Sequence, residues 1–92
     1  MNEDEHPARD PSVETAVFET EVVIYDDRSG MVHHLNPSAS SIWLLLDGRP
    51  LAAVIDELTR LTGMARDDLR RDVLQAVADL RDAKLLTAWP GR

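Results

Sequence analysis

The chain has 92 residues, with 17 Asp or Glu against 10 Lys or Arg, a formal charge of −7 and no cysteine. That length holds one small domain. The missing thiols exclude disulfides, thiolate zinc sites and cysteine nucleophiles, and the acidic balance argues against nucleic acid and against an anionic membrane surface as partners. No apolar run approaches the ~20 residues needed to span a bilayer. The acidic start, Met1-Asn2-Glu3-Asp4-Glu5, lacks the apolar stretch of a secretory signal, which points to a cytoplasmic protein.

Residues 1–12 carry four acids (Glu3, Asp4, Glu5, Asp10) against Arg9, a net −3, together with Pro7 and Pro11. With so few apolar groups to offset chain ordering, this segment reads as a disordered acidic tail. From Val13 the pattern changes. Ala16-Val17-Phe18, Val22-Val23-Ile24-Tyr25 and Met31-Val32-His33-His34-Leu35 are short runs rich in β-branched and aromatic residues, as strands are. Asp26-Asp27-Arg28-Ser29-Gly30 has turn chemistry and predicts a hairpin. Glu19-Thr20-Glu21 is a weaker break.

At Asn36-Pro37 the period becomes helical, with Asn36 as N-cap and Pro37 at the first helical position. Ala39, Ile42, Trp43 and Leu46 form one stripe, which Leu44 and Leu45 widen, and Asp47-Gly48 ends it. Pro50 opens a second helix with Leu51, Val54, Ile55, Leu58 and Leu61 on one face, stopped by Gly63. A third helix starts near 65–67, with Asp67 and Asp68 in its first turn, where they suit the dipole. Leu69, Val73, Ala76, Val77 and Leu80 make its buried stripe. Leu85-Leu86 is a short apolar close, and 89–92 is a second tail, which leaves a domain over residues 13–88. Three strands followed by three helices predict an α+β, winged-helix-like fold in which a three-stranded antiparallel meander is backed by helices.

No grouping of residues points to catalysis or to a cofactor. His33 and His34 are adjacent on a strand and project to opposite faces, so they cannot share a metal ion. Ser38, Ser40 and Ser41 lie in a helix start without a nucleophile elbow around them. A winged helix can bind DNA, but the third helix mixes Arg66, Arg70, Arg71 and Arg81 with Asp67, Asp68, Asp72, Asp79 and Asp82, so its charges nearly cancel. The edge strand Met31–Leu35 contains no Pro or Lys to block further pairing. It can take up an extended peptide as a fourth strand, or it can pair with a second copy of the chain as a homodimer.

Val23-Ile24-Tyr25-Asp26, then Ser29-Gly30-Met31-Val32-His33-His34-Leu35-Asn36-Pro37-Ser38-Ala39, then Ile42-Trp43 and Leu46-Asp47-Gly48 resemble the PqqD-like family. That family comprises the recognition elements for precursors of ribosomally made, modified peptides. Asp68-Leu69-Arg70-Arg71-Asp72-Val73, Leu80 and Leu85-Leu86 extend the resemblance, which covers roughly residues 15–86. It implies a non-catalytic adaptor that binds the leader of a precursor peptide and presents it to a modifying enzyme. The leader would add as a strand to Met31, Val32, His33, His34 and Leu35 and lie against the third helix at Leu69, Asp72, Val73 and Ala76. The chain departs from the family at Lys84, where many relatives have Gly, so the third helix is expected to close differently. It departs again at His33-His34, which replace a more uniformly apolar strand.

Overall fold

A computed structural model describes residues 3–88. The elements are β1 (Pro7–Arg9), β2 (Glu14–Phe18), β3 (Glu21–Asp26), β4 (Met31–Leu35), α1 (Pro37–Leu45), α2 (Leu51–Thr62), α3 (Arg66–Asp82) and β5 (Leu86–Ala88). The expected meander is an antiparallel sheet in the order β2-β3-β4, so β4 lies at one edge. Its first turn has only Glu19 and Thr20 between the paired Phe18 and Glu21, with Glu19 at a positive φ of 57°. Its second turn closes at Gly30, φ 71°, whose N–H donates to the Asp26 carbonyl at 2.8 Å. In β3, Val22, Ile24 and Asp26 are buried and face the helices, while Tyr25 on the opposite face is exposed.

The start of α1 follows from Asn36-Pro37: the Asn36 side-chain oxygen accepts the Ala39 N–H at 2.8 Å. One turn on, the buried Ser40 hydroxyl stands between two strands. It accepts the Val22 N–H at 2.8 Å and donates to the Leu35 carbonyl at 3.2 Å. Ser40→Ala would strand that buried N–H, so we expect a stability loss of about 1–3 kcal/mol, measured as a lower urea midpoint at unchanged m value. The helix ends at Leu45, before the expected Asp47-Gly48, and Leu44 is exposed rather than part of a widened buried face. The carbonyls left at this end are taken from outside, because the Arg9 guanidinium donates to the carbonyls of Trp43 and Leu44 at 3.1 and 2.8 Å.

Gly63, left-handed at φ 71°, stops α2 as expected. The end of α3 corrects the expectation drawn from Lys84. Lys84 adopts the left-handed conformation, φ 62°, that glycine would supply. Its N–H donates to the Arg81 carbonyl at 2.9 Å and the Leu85 N–H to the Leu80 carbonyl at 3.0 Å. That pair of bonds is a Schellman close, so the helix ends as it would with glycine and carries the steric cost of a Cβ there. Lys84→Gly should therefore raise stability by about 0.5–1 kcal/mol, the relief of the Cβ clash exceeding the added freedom of the unfolded chain. A thermal melt gives the sign, and an unchanged or lower Tm would refute the account.

The amino-terminal segment is the main departure from the sequence reading. Rather than a disordered tail through residue 12, Pro7–Arg9 pairs antiparallel with Leu86–Ala88. The carbonyls of Glu5 and Glu3 accept the N–H groups of Leu51 and Ala52, both at 3.0 Å, at the start of α2, where Pro50 offers no side-chain cap. Two acids of this segment, Glu3 and Glu5, have partners on α3. Glu3 bridges Arg66 and Arg70, each at 2.7 Å, and Glu5 meets Arg81 at 3.3 Å. The Arg66 and Arg70 hydrogen bonds hold the Glu3 carboxyl below the usual carboxylate range. Residues 89–92, expected as a second tail, lie outside the described residues.

Candidate peptide-binding groove

The two-residue turn fixes which main-chain groups face the open edge of β4. In such a hairpin the residues flanking the turn exchange hydrogen bonds, so Glu21 points its N–H and C=O at β2, and by alternation Val22, Ile24 and Asp26 point theirs at β4. The Val22 N–H bond to Ser40, which in turn reaches Leu35, has this direction. The register pairs Val22, Ile24 and Asp26 with Leu35, His33 and Met31. Those three β4 residues therefore face inward, while Val32 and His34 direct their N–H and C=O groups to the edge. No strand covers that edge among the described residues.

Side chains divide the same way. Met31, His33 and Leu35 share the helix-facing side with buried Ile24 and Val22, whereas Val32 and His34 are exposed on the outer face. Of the two histidines, His33 is the one beside the groove. Among the described residues no three His, Asp or Glu side chains gather as metal ligands.

Three hollows follow one another, the first two between β4 with the start of α1 and the α3 side, the third among α1, α2 and α3. Met31 and His33 border the first, of about 540 Å³, opposite Ala83 and Lys84. Leu35, Ala39, Ile42, Ala76 and Leu80 supply the apolar walls of the second, of about 270 Å³, with Asp72, Gln75 and Asp79 on its α3 side. Ile42, Leu58, Met64 and Leu69 give the third, of about 240 Å³, an apolar lining that Asp72 also borders. From the first hollow to the third the lining runs from residue 31 to 42 on one side and from 84 to 69 on the other, so β4 and α3 run in opposite senses where they face each other across the first two hollows.

The first hollow is braced by Arg28. Its guanidinium holds the buried Asp26 carboxylate at 2.9 Å, reaches Asp10 at 3.0 Å and donates to the Lys84 carbonyl at 2.8 Å. One side chain thus ties the β3–β4 turn to the amino-terminal segment and to the end of α3. The Arg28 hydrogen bonds keep the Asp26 carboxyl below its ordinary range, so Asp26 stays a charged acceptor at neutral pH.

Of the α3 residues read from the sequence, Leu69, Asp72 and Ala76 line hollows. Val73 does not: it is fully buried in the core beside Val77, so its assignment to the peptide site is corrected. Gln75, Asp79, Leu80, Ala39 and Ile42 line the groove and were not singled out for it. Their helical spacing from Asp72 and Ala76 was the available signal. DNA reading finds little support on α3, since three of its four arginines, Arg66, Arg70 and Arg81, are ion-paired to Glu3 or Glu5.

A family model described as coenzyme PQQ synthesis protein D (PqqD) matches residues 21–86, which include the edge strand and all three helices. The chain belongs to the PqqD family. Two solved structures are similar to this PqqD-family domain over nearly their whole length. Lasso peptide synthetase B1 complexed with the leader peptide is 30% identical, with a TM-score of 0.76 over 89% of this chain and 98% of that one. TbiB1 in complex with the TbiA(beta) leader peptide shares the fold at 24% identity, with a TM-score of 0.79 over 92% of this chain and 96% of that one. No curated protein sequence matches the chain. No helix among the described residues is long and apolar enough to cross a membrane.

Proposed function

We propose that this PqqD-family protein is a non-catalytic, cytoplasmic adaptor that holds the leader of a ribosomally made precursor peptide as an added strand on β4 and presents it to a modifying enzyme. The observation that carries this reading is the open β4 edge, with Val32 and His34 main-chain groups turned outward beside a groove with apolar walls. Strand addition gives main-chain hydrogen bonds that any sequence can make, and the hollows add selectivity through alternate side chains. In this reading Met31 to Leu35 form the docking strand, and Leu69, Asp72 and Ala76 form the facing wall. The 30% identical relative, solved with its leader peptide, supports the same use of the fold.

The test is a titration of isotopically labelled protein with synthetic leader peptides of ribosomally made precursors, followed by amide NMR. We expect saturable shifts centred on Val32 and His34, with smaller ones along α3 from Leu69 to Leu80. Shifts confined to β2 or α2 would overturn the placement, and no binding at millimolar peptide would overturn the function.

A further inference from the structure

The groove contains an imbalance of charge. Asp72 is the one carboxylate that borders both the second and the third hollow, and neither hollow has a Lys or Arg in its lining. Its nearest cation is Arg71, 3.8 Å away and on the solvent side, with a side chain that is 74% exposed. Arg71 is shared with Asp68 at 3.7 Å, so neither contact is a close hydrogen-bonded pair. Asp79, by contrast, borders only the second hollow and already accepts the Gln75 amide at 3.0 Å.

In the free protein water solvates Asp72, whose side chain is 53% exposed. A peptide lying across the two hollows displaces that water. An ionised carboxylate covered by apolar groups without a partner is costly, and a cation supplied by the peptide removes that cost. We propose that Asp72 is a specificity-determining position that requires a Lys or Arg in the bound leader, set between the apolar side chains that enter the second and third hollows. The same carboxylate rejects leaders with Asp or Glu at that place, since two like charges would share one dehydrated site. This proposal rests on the peptide-binding reading above and narrows it to a class of peptide: apolar, with a cation at one fixed register.

The experiment is a selection from a display library of random 12-residue peptides on the wild-type protein and on Asp72→Asn and Asp72→Lys, with circular dichroism confirming that each variant is folded. Because Asp72 is half exposed, neither change disturbs the core. The wild type should enrich peptides with apolar residues flanking a Lys or Arg. Asp72→Asn should keep the apolar preference and lose the cation, and Asp72→Lys should favour Asp or Glu there. A peptide chosen on the wild type should bind Asp72→Asn about tenfold more weakly, while its Lys→Gln form should bind both proteins alike. Apolar enrichment without a cation, or a cation preference that Asp72→Asn leaves intact, would overturn the charge selection and leave the peptide site standing. Failure of the wild type to enrich any peptide would overturn the peptide-binding reading itself and this proposal with it.

Discussion

Val32→Pro is expected to leave the protein folded and to weaken leader binding about tenfold or more. Val32 lies mid-strand in β4, half exposed, with its N–H and C=O turned to the open edge. Proline there removes one edge donor, worth about 0.5–1.5 kcal/mol as a net hydrogen bond, and its ring obstructs the approach of an incoming strand. The inner ladder to β3 loses nothing, because Val32 contributes no N–H to it, and proline is tolerated at edge positions of this kind. One residue further, the outcome reverses. His33 faces inward opposite Ile24, so His33→Pro breaks the ladder itself and should unfold the β3–β4 hairpin. Calorimetric titration with leader peptide, alongside circular dichroism of both variants, tests the pair. Full-strength binding by folded Val32→Pro would remove β4 as the docking edge, and a folded His33→Pro would show that the alternation of inner and outer groups is misassigned.

Trp43→Ala is expected to cost about 3–5 kcal/mol, the range for truncating a buried Trp. Trp43 is fully buried in α1, within the core that includes Ile24, Leu46, Val54, Val73 and Val77. Its indole N–H donates to the Thr15 hydroxyl on β2 at 3.1 Å, so one side chain links the helical layer to the far strand of the sheet. Small domains sit near the lower end of the usual stability range of about 5–15 kcal/mol. The loss therefore takes a large share of the total and should lower Tm by roughly 15 °C or more. Trp43→Phe keeps most of the apolar volume and gives up the hydrogen bond, so a much smaller loss is expected. Urea unfolding followed by far-UV circular dichroism measures both. Equal losses for Ala and Phe would mean that the hydrogen bond, not the packed volume, holds the sheet to α1.

The PqqD-family sequence is informative where structure depends on near neighbours. Asn36-Pro37 starts α1 because the cap and the first helical residue act within one turn. Gly30 and Gly63 stand where the backbone takes a positive φ, a local steric requirement. Val73 and Ala76 show the limit. Both lie on the apolar side of α3, but periodicity gives the direction of a stripe and not where the opposing layer leaves a gap. Val73 meets the core and Ala76 opens on the second hollow.

The amino-terminal segment shows the same limit at longer range. By composition it has too few apolar groups to order itself, and alone that physics holds. Its order comes from partners distant in the chain, among them the start of α2, the arginines of α3 and the strand after it. Lys84 likewise looked like a departure from its relatives, yet the packing of Leu85 into the core and the Arg28 bond to its carbonyl accompany a glycine-like backbone there. Chain-local chemistry thus determined the three strands of the meander, the three helices, the Asn36 and Gly63 caps and the family. Only the tertiary structure decided which groups of β4 face outward, that His33 rather than His34 borders the groove, and that Asp72 borders two hollows with no Lys or Arg in their linings. Those properties are set by how separate layers meet, and no short window of sequence encodes that meeting.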